Sequence, residues 1–209
     1  MRIGILGGMG ALAGVRFLSM VVEECQKRGS KEDSDFPEIT FVNLTSRGMN
    51  NTGVINADVF LKDLQYGVNI LRRSGVYKIV MACNTAYLFL HRLRHDGTDI
   101  LDMPKLAVQS LNGDSFGVIC SDTSRLNKLY GEAIYCTDDQ QVRVDTVIDR
   151  VMSGKHCEPD RLMIGAIMNE LKQRGAKQII LGCTELPLVM RSYEEFVDPY
   201  EIVIKKLLS

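Results

Sequence analysis

Two segments of the chain repeat the same pattern at an offset of 100 positions without a gap, at residues 72–85 (RRSGVYKIVMACNT) and 172–185 (KQRGAKQIILGCTE). Each runs from a helix end through a glycine, a basic turn, an apolar strand and a small residue to a cysteine. Internal self-similarity of this kind indicates a supersecondary unit that is used twice. The repeat therefore predicts two pseudo-symmetric halves, each with a helix–strand unit that ends in a cysteine.

Short apolar runs alternate with helical spacing along the rest of the chain. Apolar runs bounded by glycine or polar residues predict strands at residues 3–6, 38–44, 78–82, 116–120 and 178–182. Apolar residues at three- and four-residue steps predict helices at residues 12–28, 59–73, 84–94, 124–131, 142–152, 161–174 and 199–208. This alternation is typical of parallel sheets with right-handed crossovers.

The predicted fold class is α/β, with two pseudo-symmetric parallel-sheet α/β domains and the active site in the cleft between them. We expect the first domain to contain residues 1–101 and a returning C-terminal helix within residues 194–209, and the second to contain residues 102–193. A chain of 209 residues is long enough for two small halves that share a core.

Composition argues against several classes of function. The formal net charge is −1, whereas nucleic-acid-binding domains usually have a basic excess, so we expect no nucleic-acid partner. No run reaches the roughly 18 apolar residues that span a bilayer, and no targeting segment is visible, so we expect no membrane partner and a cytoplasmic location. The six cysteines form no CxxC pair, which argues against a zinc ribbon, a thioredoxin motif or a disulfide framework.

Cys83 and Cys183 directly follow the two repeated strands. Ligands of parallel α/β sheets bind beyond the carboxyl ends of strands, and a thiol at the start of a following helix is expected to have a lowered pKa. Two related halves would bring the thiols to opposite sides of one cleft. A thiolate and a thiol facing one carbon could exchange its proton, which is racemisation. Asn84, Thr85 and Thr184 are candidate donors for the developing charge.

The segments GILGGMG at residues 4–10, ACNTA at 82–86 and LGCTELPL at 181–188 resemble the aspartate/glutamate racemase superfamily, most closely its aspartate racemase branch. The resemblance covers essentially the whole chain in the right order. It implies catalysis without pyridoxal phosphate, metal or nucleotide, with Cys83 and Cys183 as the two bases. The implied substrate is an acidic amino acid, aspartate first and glutamate second, and the likeness suggests a homodimer.

The resemblance also implies a set of substrate-binding residues. Arg47 matches an arginine that holds a substrate carboxylate, and Lys155 resembles a lysine near the substrate side chain. Glu185 stands where glutamate racemases tend to carry histidine, which favours the aspartate or broad-specificity branch. The complete set implied is Met9, Gly10, Arg47, Asn84, Thr85, Ser121, Ser124, Lys155, Thr184 and Glu185.

Other interpretations of single motifs stay open at this level. Arg47 fits a solvated loop position as well, and Thr184 fits a helix N-cap. Residues 8–13 (GMGALA) fit a loose dinucleotide-binding loop, but residues 43–45 (NLT) lack the acidic residue that such a site needs, so we expect no nicotinamide cofactor. The His91 and His95 pair lies among arginines, as in a solvated helix face, so we predict no metal site.

Two alternatives concern the function itself. Some relatives use similar cysteines to isomerise unsaturated diacids or to decarboxylate, but two intact cysteine motifs favour racemisation. A catalytically altered or non-catalytic amino-acid-binding protein on the racemase scaffold is the other alternative. It depends on departures from the family pattern, namely Ala11 in place of the usual proline and Ser121 and Ser124 in a loop that is usually threonine-rich.

Overall fold

Parallel strands and helices alternate along the chain in the computed structural model, which describes residues 1–51, 53–191 and 194–209. The strands are β1 (Arg2–Gly7), β2 (Glu38–Asn43), β3 (Met49–Asn50), β4 (Gly53–Val54), β5 (Lys78–Met81), β6 (Asp99–Ile100), β7 (Phe116–Ile119), β8 (Ile134–Tyr135) and β9 (Gln178–Leu181). The α-helices are α1 (Ala11–Lys27), α2 (Ala57–Arg73), α3 (Met103–Gln109), α4 (Asp122–Leu126), α5 (Asp138–Met152), α6 (Glu158–Gln173) and α7 (Pro199–Leu207). Three further segments are 3-10 helices, Asp33–Asp35, Asn84–Arg92 and Leu186–Leu188.

Two separate parallel sheets form the framework. The first has the strand order β2-β1-β5-β6 and the second the order β8-β7-β9. The short strands β3 and β4 make an antiparallel hairpin outside both sheets. The predicted α/β fold class with two parallel-sheet halves is confirmed.

The sequence repeat corresponds to equivalent positions in the two sheets. Strand β5 lies beside β1, with Leu6 opposite Met81, and strand β9 lies beside β7, with Ile119 opposite Leu181. The last three residues of both β5 and β9 are buried, because helices cover both faces of a parallel sheet. Each cysteine motif therefore begins at the same edge of its sheet.

Local signals explain where the long helices begin and end. The Asn56 side chain accepts a hydrogen bond from the Val59 N–H and starts α2, and the Thr137 hydroxyl caps α5 in the same way through Gln140. After α2 the chain turns at Gly75, whose φ of 77° is in the left-handed region that glycine adopts without steric cost.

The predicted helix over residues 84–94 is wrong in type and length, because this segment is a 3-10 helix that ends at Arg92. Its side chains are largely buried, and the Tyr87 hydroxyl accepts the Met81 N–H, which holds the segment against the end of β5. The helix predicted over residues 124–131 is instead α4, which starts earlier because Ser121 caps it. The two-residue strands were not predicted, since they are too short to show periodicity.

The C-terminal helix α7 packs against α1 and α3 and adds Tyr200 and Val203 to the core of the first sheet. Just before it, Val197 pairs with β9 of the second sheet, through hydrogen bonds with Leu181 and Ile179.

The domain boundaries stay a prediction, and residue 193, where the second domain was predicted to end, lies outside the described residues. In the described part of the chain, no helix is long and apolar enough to cross a membrane.

Candidate active site

A cleft with an internal volume of about 110 Å³ lies between the two halves. A cavity of that size exceeds the ~10–15 Å³ that one water needs and suits a small molecule. Its wall contains the first glycine-rich loop, the hairpin region after β2, both cysteine motifs and one side of α5. The wall residues are Gly8, Met9, Gly10, Ser46, Met49, Asn50, Asn51, Cys83, Asn84, Thr85, Ser121, Ile148, Met152, Gly182, Cys183, Thr184 and Glu185.

The two thiols come to this cleft because each follows the buried end of its strand. Cys83 is next to Ala82 after β5, and Cys183 is next to Gly182 after β9. Both are free thiols, with 3% and 9% of their surface exposed. They are close enough for the charge on Cys83 to raise the pKa of Cys183. The predicted pairing of the cysteine motifs across one cleft is thus present in the fold.

Cys83 is surrounded by hydrogen-bond donors. Burial, followed by the nearby Glu185 carboxylate, raises the pKa of Cys83 to about 12. The backbone N–H groups of Ala86 and Thr85 and the Thr85 side chain act in the opposite direction and lower it. These three donors all favour a negatively charged sulfur at this position.

Cys183 has a carboxylate acceptor beside it, as well as one donor, the Glu185 backbone N–H. Its thiol donates to Glu185 Oε2 at 3.1 Å, and Glu185 also accepts from the Thr184 hydroxyl at 2.9 Å and from the Gly10 N–H at 3.3 Å. Burial, followed by the Glu185 charge and this hydrogen bond, raises the pKa of Cys183 well above its usual value. An acceptor beside the sulfur favours a protonated thiol.

The expectation that helix starts lower both thiol pKa values is therefore wrong. The segments that follow the cysteines are a 3-10 helix of nine residues and one of three residues, so the dipole at each start is small. Removal of both sulfurs from water and the buried Glu185 carboxylate outweigh the few backbone donors.

A hydroxyl cluster supports the Cys83 side of the cleft. Thr85 Oγ1 lies 2.9 Å from Ser121 Oγ and 3.0 Å from Ser124 Oγ, and the two serine hydroxyls are 3.1 Å apart. Ser121 lies in the wall of the cleft, whereas Ser124 is fully buried behind Thr85. Ser121 donates to Ser124, Ser124 can donate to Thr85, and Thr85 donates to Cys83, so this series of hydroxyls orients the one that faces the sulfur.

Asn84 lies in the wall of the cleft and has an amide nitrogen without a hydrogen-bond partner among the described residues. Its Oδ1 accepts the Tyr130 hydroxyl at 2.7 Å, which fixes the orientation of the amide, and its buried Nδ2 has no partner among the described residues. An unpaired buried donor is costly, so its position at a cleft wall suits a ligand that accepts a hydrogen bond.

Two predicted substrate residues lie outside the wall of the cleft. Arg47 has an exposed side chain, and its backbone N–H donates to Asp63 Oδ2 at 3.0 Å. Lys155 is exposed in the turn after α5, where its N–H bonds to the Arg150 carbonyl. The other predicted site residues, apart from Ser124, all line the cleft.

Several wall residues were not predicted from the sequence. Met49 lies in the β3–β4 hairpin, and Ile148 and Met152 lie one turn apart on α5. Their sequence signal is a helical apolar pattern, which is equally typical of core residues.

Tyr200 was also not predicted. Its buried hydroxyl donates to the Ala82 carbonyl at 3.0 Å and is hydrogen-bonded to the Thr184 side chain. It therefore ties together the residue before Cys83 and the residue after Cys183.

Comparison with known proteins agrees with this architecture. Residues 6–207 match the family described as Asp/Glu/Hydantoin racemase. A broad-specificity amino-acid racemase of Bacillus subtilis is 25% identical over 201 residues, which are 90% of this chain and 87% of that protein. A glutamate racemase of Deinococcus radiodurans is 30% identical over 146 residues, which are 64% of this chain and 50% of that protein.

Solved structures show the same fold. An aspartate racemase from Picrophilus torridus has a TM-score of 0.80 at 19% identity, with 99% of this chain and 92% of that chain covered. An aspartate racemase homologue from Pyrococcus horikoshii has a TM-score of 0.76 at 20% identity, with 99% and 97% covered.

Fold and cleft thus define a two-domain α/β enzyme whose cysteine motifs face one cavity. Because the family match spans nearly the whole chain, the chain belongs to the Asp/Glu/hydantoin racemase family and is an amino-acid racemase. The superfamily resemblance drawn from the three sequence motifs is confirmed.

Proposed function

We propose that the chain racemises a free α-amino acid by proton transfer between Cys83 and Cys183. The observation that supports this most is the pair of buried thiols in one cleft, with donors around one sulfur and an acceptor beside the other. In one direction a thiolate removes the α-proton from one face of the carbon, and the opposite thiol delivers its own proton to the other face. The C–H bond that breaks and the C–H bond that forms involve the same carbon, and the two sulfurs exchange protonation states.

The surroundings of the two sulfurs favour one of them as the base. Cys83, which faces three donors, is the sulfur that ionises when substrate binds, and Cys183, which donates to Glu185, stays the thiol. Burial holds both pKa values high, so the thiolate forms only when a substrate brings its ammonium group into the cleft. The positive charge of that group lowers the pKa of a neighbouring thiol.

The developing negative charge of the deprotonated carbon needs donors in place before the reaction. Asn84 Nδ2, which has no partner among the described residues, is the candidate donor, since Asn84 lies in the cleft wall. Donors that are fixed in advance and shielded from water stabilise such a charge more strongly than donors in solvent. The Tyr130 hydroxyl keeps Asn84 in this orientation.

An acidic substrate stays a prediction of the sequence. It depends on Arg47 and Lys155, whose side chains are exposed and outside the wall of the cleft. The Bacillus subtilis relative is described as a broad-specificity amino-acid racemase, which is compatible with a substrate of another class.

Cys83→Ser and Cys183→Ser should each lower the rate of racemisation by about 100-fold or more, because a hydroxyl is a far weaker acid than a thiol and general acid–base catalysis contributes on that order. The measurement is α-proton loss in heavy water by proton NMR, under reducing conditions, with a chiral assay of the product. Any residual exchange should be confined to one enantiomer, and to opposite enantiomers in the two variants.

Cys157→Ser is the matched control, since Cys157 is exposed and outside the cleft wall. It should keep the wild-type rate. Full activity in either cleft variant would refute the two-base proposal. Tight binding of an amino acid by the folded wild type, without exchange at any pH, would favour the alternative of a non-catalytic binding protein.

The homodimer suggested by family resemblance stays a prediction. Light scattering on the purified chain would measure its mass in solution.

A further inference from the structure

One end of the cleft is apolar. Once the reacting carbon lies between the two sulfurs, the polar groups of Asn84, Thr85 and Thr184 face the ammonium and carboxylate groups that every α-amino acid carries. The rest of the wall includes the apolar side chains of Met49, Ile148 and Met152, together with glycines and polar residues. In this placement, the apolar part of the wall contacts the substrate side chain.

Two polar residues of the wall already bind carboxylates of the protein. The Ser46 hydroxyl donates to Asp63 Oδ2 at 2.9 Å, and the Asn51 amide donates to Asp149 Oδ1. The single proton of Ser46 is therefore engaged, and both residues lie beside a negatively charged group. A second carboxylate, from a substrate, would meet these two like charges.

The charge within the cleft itself is also negative. Glu185 is 5% exposed and is the strongest electrostatic influence on the pKa of both Cys83 and Cys183. Among the described residues of the cleft wall, no lysine or arginine is present to balance it. A carboxylate side chain entering this cleft would be desolvated without a cation, which disfavours binding strongly.

Glu185 already accepts hydrogen bonds from Gly10, Cys183 and Thr184, which makes it a poorer partner for a cationic side chain. Its Oε1 lies beside Gly10, near the terminal carbon of Met152. The apolar end presents Met49, Ile148 and the end of Met152, which pack against uncharged groups without requiring a partner.

The geometry points to a substrate with an uncharged, largely apolar side chain, and to exclusion of aspartate and glutamate. This inference rests on the proposed racemase function and assigns the substrate class of the same cleft. Arg47 and Lys155, on which an acidic substrate would depend, have exposed side chains and are not among the residues of the cleft wall.

The test is α-proton exchange in heavy water with the full chain and free thiols, using methionine, leucine, serine, aspartate, glutamate and lysine at equal concentrations, with D-product assayed for each. The expected result is a kcat/KM for methionine or leucine at least about tenfold above that for aspartate and glutamate. Like charges a few Å apart repel by more than the free energy that corresponds to a tenfold change in kcat/KM. Preferred turnover of aspartate, glutamate or lysine would overturn the inference and leave the racemase proposal intact. No exchange with any of the six would count against the racemase proposal itself.

A charge introduced at the apolar end gives an independent measurement. Met152 is partly exposed at the end of α5, and its terminal carbon approaches Gly10, so Met152→Lys places a cation at the cleft without disturbing the core. Its ratio of kcat/KM for aspartate to that for methionine should rise about tenfold or more. Leu162→Lys, an exposed position on α6 outside the cleft wall, is the matched control and should leave the ratio unchanged. An unchanged ratio in Met152→Lys would show that this wall does not contact the substrate side chain.

Discussion

The Glu185 carboxylate links the two halves of the candidate active site, with one oxygen bonded to each half. Its Oε1 accepts from the Gly10 backbone of the first loop, and its Oε2 accepts from the Cys183 thiol. The same carboxylate raises the pKa of both cysteines, with burial as the larger cause in each case. One side chain thus helps to keep both thiols protonated in the absence of substrate.

Glu185→Gln should lower the pKa of Cys83 and Cys183, because it removes a negative charge that opposes ionisation. Below the thiol pKa, each unit of decrease raises the thiolate fraction about tenfold. The profile of iodoacetamide alkylation against pH, followed for each cysteine by mass spectrometry, should therefore shift to lower pH. Glu185→Asp keeps the charge and should stay closer to the wild type. A profile that is unchanged or shifted upward in Glu185→Gln would contradict the assigned role.

At the scale of elements, the C-terminal helix α7 does more than pack against the core of the first sheet. Its N-cap is Asp198, which accepts the Tyr200 N–H and pairs with Arg16 of α1 at 2.5 Å. The Tyr200 ring packs edge-on against Phe17, which sets the position of its hydroxyl between the two cysteine motifs. A helix more than 100 residues after Cys83 and shortly after Cys183 therefore links the two cysteine motifs.

Tyr200→Phe should lower kcat about tenfold or more with little change in KM, because the loops that carry the thiols lose a shared hydrogen-bond partner and small displacements of reacting groups are costly. The loss should also destabilise the fold by about 1–2 kcal/mol, since the Ala82 carbonyl loses its donor. Steady-state kinetics and denaturant unfolding measure the two effects separately. Tyr66→Phe, at an exposed tyrosine, is the matched control. Loss of stability with an unchanged kcat would reduce Tyr200 to a purely structural role.

At the scale of the whole molecule, the cleft is completed only when both sheets are in place. Gly10 and Cys83 come from the first half, and Ser121 and Cys183 from the second. A ligand in the cleft contacts both halves, so binding stabilises the folded arrangement of the complete chain.

A bound amino acid should raise the melting temperature of Cys83→Ser, a variant in which turnover does not consume the ligand. At 100 times Kd the stabilisation is about 2.7 kcal/mol, which for a chain of this size corresponds to about 5–10 °C. Scanning calorimetry measures the shift, and hydrogen exchange should show protection after both β5 and β9. Protection restricted to one half, with a ligand shown to bind by titration, would contradict a site shared between the halves.

The framework of the fold could be predicted because its signals are local. The apolar runs that became β1, β5, β7 and β9 lie within a residue or two of the predicted bounds, since burial on both faces of a parallel strand requires a continuous apolar run. The 3-10 helix after Cys83 and the short strands β6 and β8 could not be predicted, because tertiary contacts rather than periodicity define them.

By itself, the sequence determined the two-fold repeat, the α/β class and the position of a cysteine at each repeated strand end, because these follow from chain-local patterns and the geometry of parallel sheets. Tertiary structure alone decided which side chains form the cleft wall, that Arg47 and Lys155 are exposed, and that Glu185 lies against Cys183 with both thiol pKa values raised. Desolvation and Coulomb interaction depend on distance and burial in space, and neither quantity can be obtained from the order of residues along the chain.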